Sequence, residues 1–68
     1  MKVRNLTAGD KILLDEETQY LYGERYGKVK KVFSAGGTYA ESMLIGLEFE
    51  NIPCTLFYQL GSEVVTSQ

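Results

Sequence analysis

The chain has 68 residues, 44% hydrophobic and 24% charged, with a net charge of −2. That composition describes one domain, 1–68, too short for a second core and too apolar for a disordered chain. With no histidine and a single cysteine, Cys54, an internal disulfide is excluded, and neither a metal site nor any other cofactor is expected, because zinc favours nitrogen and sulfur donors.

Met1 to Asn5 carries two cations, Lys2 and Arg4. No apolar run of signal-peptide length follows, and no stretch approaches the roughly 20 residues a bilayer span needs. A soluble, cytoplasmic protein is expected, in keeping with one cysteine. At this length only about 60% of the unfolded surface is buried on folding, which makes self-association the most available extra support.

Ala8-Gly9-Asp10 is a turn signal leading into a first strand, Lys11 to Leu14. Residues 15–26 read as a long, partly hairpin-like loop. The acids Asp15, Glu16 and Glu17 would suit a first helical turn, but Gly23 and Gly27 follow soon and the tyrosines favour extended structure. A second strand is expected from Lys28 to Phe33. Its valines, Val29 and Val32, are three apart, so strict alternation would turn Lys31 inward. A β-bulge near Lys30 and Lys31 restores the phase and bends the strand.

Ala35-Gly36-Gly37 marks the next turn, and Thr38-Tyr39-Ala40-Glu41 reads as a capping box. A short helical turn near 39–45 is therefore the local alternative to strand. The third strand, Met43 to Glu50, has the clearest period-two alternation, with Ile45, Leu47 and Phe49 between Gly46, Glu48 and Glu50. Asn51-Ile52-Pro53 and Leu60-Gly61-Ser62 then separate a fourth strand, Thr55 to Tyr58, and a fifth, Glu63 to Thr66. The expected core is Val3, Leu6, Ile12, Leu14, Val29, Val32, Ile45, Leu47, Phe49, Leu56 and Val64.

The order Leu6-x-x-Gly9-Asp10-x-Ile12-x-Leu14, Gly27-Lys28-Val29-x-x-Val32, Leu47-Glu48-Phe49-Glu50-Asn51 and a closing Leu60 to Val65 resembles the Src-homology-3-like small barrel. Its first half is similar to the KOW-type motif of ribosomal and transcription-elongation proteins. The resemblance covers most of the chain and implies an all-β fold, a small five-stranded SH3-like barrel. The superfold hosts many unrelated functions, so function must be argued from residues.

Charge is unevenly placed. From Glu24 to Lys31, Arg25, Lys28, Lys30 and Lys31 against Glu24 give +3, so the remainder of the chain carries −5. The stretch Gln19 to Lys31 also holds Tyr20, Tyr22 and Tyr26. These residue types together suit sequence-tolerant nucleic-acid binding: tyrosines Tyr20, Tyr22 or Tyr26 stack on bases, each worth roughly 1–3 kcal/mol, while Arg25, Lys28, Lys30 and Lys31 hold phosphates. The bland alternative is that the rings cover the barrel wall with wet hydroxyls and the lysines discourage edge pairing. The sequence pI near 4.9 lies below the range usual for nucleic-acid domains, so binding would be local.

Two further readings are weaker. Polyproline recognition would use the tyrosines of 15–26 with Asp15, Glu16 and Glu17, but the chain has no tryptophan, on which that groove normally relies. An enzyme is not expected: Glu48 and Glu50 share one outward strand face, and Cys54 has no histidine to activate it. The expectation is a non-enzymatic binding module contacting nucleic acid or a nucleoprotein complex through its basic, tyrosine-bearing band. Homo-oligomeric or protein-protein assembly with no nucleic-acid role is the alternative.

Overall fold

Ile45, Leu47 and Phe49 are all buried on one face of strand β3 (Leu44–Phe49), as period-two alternation requires. The computed structural model describes residues 1–36 and 43–67. The other strands are β1 (Lys11–Leu13), β2 (Tyr26–Gly36), β4 (Thr55–Gln59) and β5 (Thr66–Ser67), accompanied by a 3-10 turn, Val3–Asn5, and one helix, α1 (Glu16–Tyr22). All pairings are antiparallel, and the five strands run in the order β4-β3-β2-β1-β5.

Strand β2 is the spine. Its first residues pair with β1, Lys28 opposite Lys11 and Tyr26 opposite Leu13, and the rest pair with β3. The register slips between Val29 and Lys31, so the bulge expected from the valine spacing is present. It lets Val29 be fully buried while Lys30 and Lys31 both stay in solvent. The strand also begins earlier and runs further than Lys28 to Phe33.

The sheet is small, all-β and five-stranded as expected, but it is not closed into a barrel: β4 and β5 are its two edges. Strand β5 has only two paired residues, too few to complete a ring of hydrogen bonds. The chain ends are clasped instead, with Val3 N–H donating to Ser62 O at 2.9 Å and Val64 N–H donating to Met1 O at 2.8 Å. Glu63, expected in the fifth strand, forms a lone bridge with Lys2.

The segment 15–26 is not a loop. Asp15 is the N-cap of α1, Glu16 and Glu17 occupy its first turn, and Gly23 ends it in the left-handed region at φ 68°. Thr18 Oγ donates to Asp15 Oδ1, and Gln19 Nε2 donates to Leu14 O at 2.6 Å, which ties the helix to the end of β1. Of the helical turn considered near 39–45, Leu44 and Ile45 belong to β3, where Ile45 pairs with Ser34 and Tyr58. Residues 39–42 lie outside the described residues.

The core comprises Val3, Leu6, Ile12, Leu14, Val29, Ile45, Leu47, Phe49, Ile52 and Val64, with Val32 and Leu56 half-buried against it. Ile52 was not expected there. Phe49 lies against the backbone at Gly27, where a Cβ would fall 2.6 Å from its ring. No helix among the described residues is long and apolar enough to cross a membrane.

Candidate nucleic-acid interface

The antiparallel register of β1 and β2 sets Lys11 directly opposite Lys28 and both are exposed. Ser67 of β5 continues the row beside Lys11, and Glu50 closes it on the far side, its carboxylate 3.7 Å from Lys28 Nζ. Two residues before Lys28 on the same face stands Tyr26, with the Arg25 guanidinium 5.9 Å from its ring centroid. Lys11, Glu24, Arg25, Tyr26, Lys28, Asn51 and Ser67 together line a groove of about 390 Å³.

Asn51 fixes the floor of this groove. Its Oδ1 accepts from Lys28 N–H at 2.8 Å and its Nδ2 donates to Tyr26 O at 2.7 Å. Glu50 N–H donates to Lys28 O at 2.8 Å, so the backbone of Tyr26 to Lys28 is held from both sides. A backbone held this firmly presents its side chains in a fixed array, which lowers the ordering cost of binding a ligand.

Of the residues singled out from sequence, Arg25, Tyr26 and Lys28 meet in this groove. Lys30 and Lys31 lie further along the outward side of β2, at the bulge. Lys31 Nζ is 5.9 Å from the centroid of the Phe33 ring. Tyr20 and Tyr22 sit on α1 and do not line the groove. Tyr20 is 88% exposed. Tyr22 is turned to Cys54, whose charge, followed by slight burial and a side-chain hydrogen bond, raises the tyrosine hydroxyl above its ordinary value.

Lys11 is the contributor that sequence reasoning missed. It lies between Asp10 and Ile12, well before the basic band in the sequence, and only the strand register brings it beside Lys28. A signal existed in principle, since two strands joined as neighbours usually pair, but the helix between them hides the register.

Chemically, the groove offers two ammonium groups and a guanidinium around a phenol ring. Ammonium and guanidinium groups donate charge-assisted hydrogen bonds to phosphate oxygens, and a planar guanidinium over an aromatic ring extends a surface on which a base can stack. No family model matches the chain, and no curated protein or solved structure gives a match.

Proposed function

We propose that the chain is a non-enzymatic binding module that contacts nucleic acid, alone or within a larger nucleoprotein complex, along the outward side of β2. The observation that carries this reading is the facing pair Lys11 and Lys28 beside Arg25 and Tyr26. Like charges directly opposite across a sheet destabilise it, and a phosphate placed between them removes that repulsion. Glu50 compensates Lys28 only in part, because both side chains of that 3.7 Å pair are about half exposed and screened by water. The acidic remainder of the chain confines binding to this face.

The five antiparallel strands and the bulge that bends β2 support the Src-homology-3-like reading of the fold. The KOW-type likeness rests on Gly9-Asp10 and Gly27-Lys28-Val29. A single cysteine supports a reducing, cytoplasmic setting.

The test is an amide-resolved NMR titration with short single-stranded and duplex DNA and RNA at low and near-physiological salt. Saturable shifts from Lys11 and from Arg25 to Lys31, with affinity falling steeply as salt rises, are expected for phosphate contacts. Absence of any shift would overturn the reading.

One observation favours a second reading, assembly with another copy or a partner protein. Edge strand β4 contains neither a charge nor a proline, the usual devices that protect an edge from pairing. Light scattering in the absence of nucleic acid would detect such association directly.

A further inference from the structure

We propose that the outer face of β2, β3 and β4 is a base-stacking platform for single-stranded nucleic acid, with Phe57 and Phe33 as stacking rings and Lys30 and Lys31 as phosphate contacts. This inference rests on the nucleic-acid reading above and adds a second site and a strand preference.

The platform follows from register. Phe33 pairs with Gly46 and Gly46 with Phe57, which makes one cross-strand row. Gly46 supplies the space: a Cβ there would come within 2.3 Å of the Phe33 ring, so only a residue without one lets that ring lie over the middle strand. The Phe33 and Phe57 rings meet edge to face, centroids 6.4 Å apart at 88°. Phe57 nevertheless remains 55% exposed, on a strand with no charge of its own.

A phenyl ring left half in water costs free energy that a planar apolar ligand would recover. The charges beside it select which planar ligand. Lys31 Nζ lies over the Phe33 ring, and the bulge turns the neighbouring Lys30 to solvent as well. The one acid in the neighbouring row is Glu48, opposite Lys31. A ligand with repeated flat faces and one negative charge per unit fits such an array, and a nucleic-acid strand has that form. A duplex hides its base faces inside the stack, so the strand must be single. Lys30 and Lys31 against the one acid of the neighbouring row, Glu48, leave this face net positive, which disfavours packing it against a second copy of itself.

The experiment compares labelled oligothymidylate, an abasic strand of the same length and a duplex by fluorescence anisotropy at low salt. The base-bearing strand is expected to bind about tenfold or more tightly than the abasic strand, and Phe57→Ser is expected to lower that ratio several-fold, leaving what stacking on Tyr26 supplies, while Phe57→Tyr preserves it. If Phe57→Ser fails to fold, Phe57→Leu, which keeps apolar bulk without an aromatic face, is expected to lower the ratio in the same way. A ratio of base-bearing to abasic binding that Phe57→Ser leaves unchanged overturns the platform and leaves the contacts of Lys11, Arg25 and Lys28 standing. Failure of every strand to bind overturns both readings. A dimer that forms without nucleic acid and is lost in Phe57→Ser assigns the face to self-association and overturns the platform.

Discussion

Lys11 and Lys28 face each other across β1 and β2 with no residue between them. Like charges directly opposite across a sheet are unfavourable, and here Glu50 offsets part of that cost from the Lys28 side. Lys11→Glu is therefore expected to do two opposed things. Folding stability should rise by about 0.2–1 kcal/mol, toward the lower end because both side chains are exposed. Affinity for single-stranded nucleic acid should fall and its salt dependence should weaken, since one phosphate contact is lost. Urea melts and salt-dependent binding on the same variant check both halves. A variant that is more stable and binds as well as the parent would show that Lys11 lies outside the interface.

Gly27 and Phe49 form a second tightly specified pair. A Cβ at Gly27 would lie 2.6 Å from Phe49 Cδ1 and 2.9 Å from Leu14 Cδ2, and Phe49 and Leu14 are both buried. Gly27→Ala is expected to destabilise by about 1–3 kcal/mol through overpacking, and Phe49→Ala by about 3–5 kcal/mol through the cavity it leaves. The double variant Gly27→Ala/Phe49→Leu should cost less than the sum of Gly27→Ala and Phe49→Leu, because the smaller side chain makes room for the new methyl. Strict additivity in denaturant melts would mean the ring does not rest on Gly27.

The contrast between β2 and α1 explains what the sequence could convey. The bulge was legible because Val29 and Val32 break alternation, and a buried face tolerates only one repair. The core of β3 was legible for the same reason. Helix α1 was not, although its signals are all present: Asp15 as cap, Glu16 and Glu17 in the first turn, Gly23 at the end. The tyrosines' preference for extended structure outweighed them, and what decides the matter is tertiary. Thr18 is buried and Gln19 reaches back to Leu14 O at the end of β1, contacts that residue preference alone does not convey. Ile52 went unrecognised because Asn51 and Pro53 mark it as turn, yet turns that cross the end of a sheet can cap its core. At the candidate site, the local members Arg25, Tyr26 and Lys28 were legible, whereas Lys11, Asn51 and Phe57 depend on pairing across strands.

Gly23 gives a direct test of the helix. It holds φ 68°, and its N–H donates to Gln19 O. A Cβ there would meet nothing within 4 Å, so any penalty is backbone strain alone. Gly23→Ala is expected to cost about 1–2 kcal/mol, with Gly23→Asn losing less because asparagine tolerates the left-handed region. Amide exchange should quicken first in α1. Uniform quickening across all strands would mean that α1 and the sheet open as one unit.

Tyr58 links the helix to the sheet through its ionisation. It is half-buried, and its hydroxyl is raised from the ordinary value of 10.0 first by burial, then by the negative charge of Asp15, then by Cys54. The folded state therefore favours the neutral phenol, whereas the unfolded chain ionises at the ordinary value. The resulting stability is present in full below about pH 10 and is lost as pH rises through the raised folded value. In an absorbance titration of the tyrosinate band, Tyr58→Phe should remove a late-titrating group, and Asp15→Asn, which keeps an oxygen to accept from Thr18 Oγ, should move that group earlier. Cys54→Ala should move it earlier too, together with Tyr22, which the same thiol raises. If no late-titrating group is lost in Tyr58→Phe, neither burial nor the charge of Asp15 acts on that hydroxyl in the folded protein, and the placement of Asp15 near Tyr58 would have to be revised.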